Sequence, residues 1–88
     1  MRIRKGFVLR PLGKEYIVTA EGASLIDFNK ILSLNSTAAY LWEQVGEEEF
    51  DAQTFKNLLL DRYDVDEQTA LHDSEAIIES FRKAGVLE

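Results

Sequence analysis

Between Asp27 and Glu43 the hydrophobic rhythm of this chain changes within three residues. A strand-like stretch (Asp27, Phe28, Asn29, Lys30, Ile31, Leu32, Ser33, Leu34) gives way at Asn35, Ser36 and Thr37 to Ala38, Ala39, Tyr40, Leu41, Trp42 and Glu43, which carry the spacing of an amphipathic helix. Everything before this junction reads as strand and everything after it as helix. That order predicts an α+β fold of the winged helix-turn-helix-like kind, with an N-terminal three-stranded antiparallel sheet followed by three helices.

The first half supplies the strands. Phe7 to Arg10 favours β structure and is expected to close at Pro11; Gly13 and Lys14 turn the chain into Tyr16, Ile17, Val18 and Thr19, so the two segments form a hairpin. Residues 21 to 24 form the next loop, and a third strand is expected from about Leu25 to Leu34. On it Phe28, Lys30, Leu32 and Leu34 share one face, while Asn29, Ile31 and Ser33 share the other.

The second half supplies three helices, each with its own start signal. Asn35 or Ser36 caps the first, whose stripe is Ala38, Leu41, Trp42 and Val45, and Gly46 ends it. Asp51 caps the second, and Phe50 and Phe55 flank the cap at the spacing of a hydrophobic staple. Phe55, Leu58, Leu59 and Arg62 or Tyr63 continue that helix. Asp66, between Val65 and Ala70, opens the third and longest helix, with Leu71, Ser74, Ile77, Ile78 and Phe81 inward and Gly85 at its left-handed end.

Composition narrows the function. With 88 residues there is room for one small core, and 45% hydrophobic content marks a folded chain. The absence of cysteine removes disulfides, thiolate metal sites and cysteine nucleophiles. No apolar run approaches the length of a membrane span, so the chain is expected to be soluble and cytoplasmic, with no membrane partner. His72 is the only histidine and falls on a polar helix face; the serines lack a base partner, Ser36 being better explained as a cap. The isolated glycines make no phosphate loop, and Asp64 with Asp66 reads as loop and cap. The reading is of a protein that is not an enzyme and needs neither metal nor cofactor.

Charge bears on the alternatives. Residues 1 to 14 hold five basic side chains and no acid, so the net charge of -6 leaves -11 on the remainder. A helix-turn-helix outline raises the alternative of a DNA-binding regulator. The last helix opposes it, because Asp66, Glu67, Asp73, Glu75 and Glu79 outweigh Arg82 and Lys83 where phosphates would have to be neutralised. A protein-protein interaction module unrelated to peptide modification is a further alternative. The basic N-terminal segment is either a solvated fringe or a steering patch for an acidic partner.

The run from Leu34 to Glu43 (Leu, Asn, Ser, Thr, Ala, Ala, Tyr, Leu, Trp, Glu), the later Tyr63, Asp64 and Val65, and the closing Ile77, Ile78, Phe81, Gly85, Val86 and Leu87 resemble the pattern of the PqqD-like family (coenzyme PQQ synthesis protein D). This is the stand-alone form of the precursor-peptide recognition element of ribosomal peptide modification. The resemblance spans nearly the whole chain as one domain, residues 1–88. It departs at Glu47, Glu48 and Glu49, an acidic insertion after the first helix. It implies a non-catalytic adaptor that holds the leader segment of a precursor peptide as an added strand and presents it to a modifying enzyme, often a radical S-adenosylmethionine (radical SAM) protein.

If the third strand lies at the sheet edge, its free amides and carbonyls can template a guest strand or, in a homodimer, a second copy. Ordering about five guest residues costs roughly 5 to 10 kcal/mol, whereas each new backbone bond returns only about 0.5 to 1.5 kcal/mol. Two or three apolar guest side chains, each worth about 1.5 to 3 kcal/mol on burial, are therefore needed as well. The expected site is a groove between the third strand and the last helix, formed by Phe28, Asn29, Lys30, Ile31, Leu32 and Ser33 with Ile77, Ser80 and Phe81.

Overall fold

The computed structural model describes residues 1–20 and 32–88. Strands β1 (Phe7–Leu12) and β2 (Glu15–Ala20) form the expected hairpin, β3 (Leu32–Leu34) follows, and helices α1 (Ser36–Val45), α2 (Ala52–Arg62) and α3 (Glu67–Ala84) complete the chain. The sheet is antiparallel with strand order β1-β2-β3. The third strand expected from about Leu25 thus has its last three residues in β3, and the earlier part of that expectation lies outside the described residues.

Pro11 does not close β1. The strand continues through it to Leu12, with Pro11 opposite Tyr16 and Leu12 opposite Glu15. Proline is tolerated because β1 is an edge strand and because the ladder alternates. Leu12 and Glu15 flank a two-residue loop, where the paired residues exchange both backbone bonds, so the next pair, Pro11 and Tyr16, exchanges none. The nitrogen that cannot donate therefore faces outward. Gly13, with φ of 63°, supplies the positive angle this loop requires.

One face of the sheet meets the helices. Phe7, Leu9, Tyr16, Val18, Leu32 and Leu34 pack into or against the core, in register across the strands. From the helices come Leu41, Trp42, Val45, Phe55, Leu59, Ile78 and Phe81, all buried. An aromatic chain runs through the centre: Trp42 meets Phe81 edge-on at 5.5 Å, Phe81 meets Phe55 edge-on at 6.2 Å, and Phe55 stacks on Phe50 at 4.6 Å. The last contact is the expected staple. It brackets Asp51, whose carboxylate accepts from Thr54 N while Thr54 Oγ1 accepts from Asp51 N, a reciprocal capping box.

The other caps follow the sequence with one correction. Asn35 caps α1, its Oδ1 accepting from Ala38 N at 2.8 Å, so Ser36 is the first helical residue and not the cap. Asn35 has the extended backbone a cap needs, which places its side chain over the free amides. Asp66 caps α3 through Thr69 N. Gly85, left-handed at φ 76°, ends α3, and Val86 N then donates back to Phe81 O as Val86 buries its side chain.

The N-terminal residues are part of the body, which the periodicity did not indicate. Ile3 is buried and bridges to Leu87; Arg4 N donates to Val86 O and Glu88 N to Arg2 O. Met1 exchanges backbone bonds with Phe50. Arg2 pairs with Glu49 at 3.2 Å and Glu88 at 3.7 Å, so two of the five N-terminal cations, Arg2 and Arg4, are drawn onto the chain's own groups, Arg4 through Leu87 O. Among the described residues no helix is long and apolar enough to cross a membrane.

Candidate functional site

Register determines which backbone groups of β3 face outward. Pro11 opposite Tyr16 means that Tyr16 directs its backbone groups away from β1, toward β3, as does Val18 two residues on. Their partners are Leu34 and Leu32, which therefore bond to β2. Ser33, between them and opposite Ile17, turns its N–H and C=O to the outer edge. Among the described residues no strand pairs with that edge.

The same alternation sorts the side chains. Leu34 is buried, Leu32 is half-buried against the core, and Ser33 is exposed on the opposite face, as expected for these three residues. Phe28, Asn29, Lys30 and Ile31 lie outside the described residues. Leu32 and Ser33 thus form the visible end of the strand named from the sequence.

On α3 the three named residues occupy different environments. Ile77 is half-buried and packs against the core with part of its side chain accessible. Ser80 is exposed and its Oγ donates to Ile77 O at 2.8 Å, which leaves its acceptor lone pairs to solvent. Phe81 is fully buried between Trp42 and Phe55. It supports this face of α3 from beneath and offers no surface of its own. Ser74 is likewise buried, its hydroxyl donating to Ala70 O at 2.7 Å.

The two edges of the sheet differ. The outward nitrogen of Pro11 carries no proton, and Arg10, Leu12 and Lys14 are exposed around it, features that discourage strand pairing on β1. β3 has no such block at Ser33. The expectation that β1 closes at Pro11 hides this difference; its signal in the sequence is the two-residue spacing of Gly13 and Lys14, which fixes the register.

Among the described residues the remaining polar groups are accounted for locally. His72 is exposed, and among the described residues no three His, Asp or Glu side chains are grouped to hold a metal. The carboxylates of Asp51 and Asp66 are held below the ordinary aspartate value, chiefly by the backbone amides of Thr54 and Thr69 and then by those residues' hydroxyls. Both shifts arise from helix caps.

Comparisons with known proteins agree with this architecture. No curated protein matches the chain. Among solved structures it is similar to that described as "TbiB1 in Complex with the TbiA(beta) Leader Peptide", with a TM-score of 0.75 and 16% identity over 100% of this chain and 95% of that one. At that identity the likeness concerns the fold. The family model for coenzyme PQQ synthesis protein D (PqqD) matches residues 8–87, from β1 to the turn after α3, and the chain therefore belongs to the PqqD family.

Proposed function

We propose that this protein is a non-catalytic adaptor that binds the leader segment of a ribosomally made precursor peptide by strand addition at β3 and presents it to a modifying enzyme. The observation that carries the reading is the outward backbone of Ser33 on an edge strand, and α3 carries a half-buried Ile77 and an exposed Ser80. Family membership and the fold shared with a structure solved with a leader peptide support it.

In this reading the guest forms main-chain bonds to Ser33 and to the preceding stretch of Phe28, Asn29, Lys30 and Ile31. Its inward side chains enter the space between β3 and α3, where Leu32 and Ile77 supply apolar surface that Phe81 backs. Hydrogen bonds fix direction and register, and apolar burial supplies most of the affinity. A radical SAM enzyme is the modifying partner the family suggests. The work of the adaptor is to hold and present, which requires no catalytic side chain.

The test is a titration of isotope-labelled protein with the leader of a precursor peptide encoded beside its gene. Amides of residues 27 to 34 and of 73 to 84 are expected to shift together and saturate at one stoichiometry. Shifts confined to the loop at Gly46 to Phe50 or to the hairpin tip would overturn the assignment.

A further inference from the structure

The sheet has a second face. Val8, Arg10, Leu12, Glu15, Ile17 and Ser33 lie on the side opposite the core by strict alternation, with Leu12 opposite Glu15, Arg10 opposite Ile17 and Ile17 opposite Ser33. Val8 and Ile17 are half-buried but are not among the side chains packed against the core, and Leu12 is 60% exposed. Arg10 and Lys14 are exposed on or beside this face, and among the described residues neither has an acidic partner within ion-pair distance. An apolar strip of Val8, Ile17 and Leu12 edged by the exposed cations Arg10 and Lys14 and the single carboxylate of Glu15 is a surface distinct from the core-facing side of the sheet.

We propose that this outer face docks the modifying enzyme, through a patch on that enzyme that is apolar at its centre and acidic at its rim. Charge complementarity selects such a partner: on and beside this face Arg10 and Lys14 outnumber Glu15, while residues 15 to 88 carry a net -11. A two-fold pair of copies would set Arg10 against Glu15 of the second copy and would show as a concentration-dependent dimer of the adaptor, a result that overturns the proposal. The apolar centre favours a folded protein over a polyanion, which would need a broader field of cations.

The inference rests on strand addition at β3 and gives it a mechanical consequence. The row Arg10, Ile17, Ser33 runs straight across the sheet, so a guest residue opposite Ser33 places its side chain at the end of that row, on the outer face. An enzyme seated there touches adaptor and leader at once. It thereby distinguishes the loaded adaptor from the empty one.

The experiment uses the full chain, a leader peptide and the peptide-modifying enzyme encoded in the same gene cluster, with binding followed by interferometry at several salt concentrations. Arg10→Glu and Leu12→Ser are each expected to weaken enzyme binding about tenfold or more, Arg10→Glu alone flattening its salt dependence, while leader affinity stays within about twofold, which also reports an intact fold. Ser33→Pro is expected to do the reverse to the leader and to abolish the tighter enzyme binding of the loaded adaptor. Unchanged enzyme affinity in both outer-face variants overturns the proposal, as does an equal loss of leader and enzyme binding. If Ser33→Pro leaves leader binding intact, strand addition fails instead, and the outer face is still judged by enzyme binding to the empty adaptor.

Discussion

Pro11 on β1 and Ser33 on β3 are two strands apart, yet the orientation of one sets that of the other. Pro11 cannot donate, so its partner Tyr16 must turn its backbone groups toward β3, and the alternation that follows leaves Ser33 facing the open edge. One register therefore blunts the first edge and leaves the other available. Each edge yields its own experiment.

On the first edge, Pro11→Val restores a main-chain donor where the strand is least covered. The variant is expected to fold normally and to self-associate as concentration rises, seen by sedimentation velocity. A strictly monomeric variant at the highest soluble concentration would show that the proline has no guarding role.

Ile77 and Phe81 are one turn apart on α3 and are expected to separate affinity from stability. Ile77→Ala removes partly accessible apolar surface and is expected to weaken leader binding about tenfold, the equivalent of burying most of one aliphatic side chain. Phe81→Leu disturbs the contacts to Trp42 and Phe55 and is expected to lower unfolding stability by about 1 to 3 kcal/mol, with little effect on affinity in molecules that remain folded. Chemical denaturation and calorimetric titration of the same samples distinguish the two.

Much of this was legible beforehand, and the reasons differ by element. The caps at Asp51 and Asp66 and the stop at Gly85 are local chemistry, written within four or five residues, and they appear where expected. The staple of Phe50 on Phe55 is equally local. Non-local pairing was hidden. A single isoleucine at position 3 among charged neighbours shows no periodicity, so its burial against Leu87 depends on a partner more than eighty residues away. The path of Pro11 through β1 was hidden too, because proline's meaning in a strand depends on which way its nitrogen points. At the site, Ser33 and Leu32 followed from alternation, whereas the division of labour between Ile77 and Phe81 required the packing of three helices.

The hidden pairing is itself testable. Ile3→Ala is expected to cost about 2 to 4 kcal/mol, since it empties a buried position. Hydrogen exchange at the Arg4 and Glu88 amides, which bond across the two segments, should quicken more than exchange in α1. Uniform acceleration throughout the chain would mean that the segment is no separate unit.

Acid should loosen α2 and α3 from their first turns. Asp51 and Asp66 titrate below the ordinary aspartate value in the folded chain, so the stability they contribute is complete above that value and is lost as pH falls through their depressed values. The window opens near about pH 4 and extends downward. Asn at either position keeps a capping oxygen without a titrating proton. The double variant Asp51→Asn, Asp66→Asn is thus expected to show a flatter fall in melting temperature below that pH, measured by circular dichroism against the parent.

The bond from Glu88 N to Arg2 O, with Arg2 paired to Glu49, ties residues 2 and 88 to one spot beside the acidic loop. A unit built this way can be spliced into a surface loop of a larger protein through two neighbouring junctions.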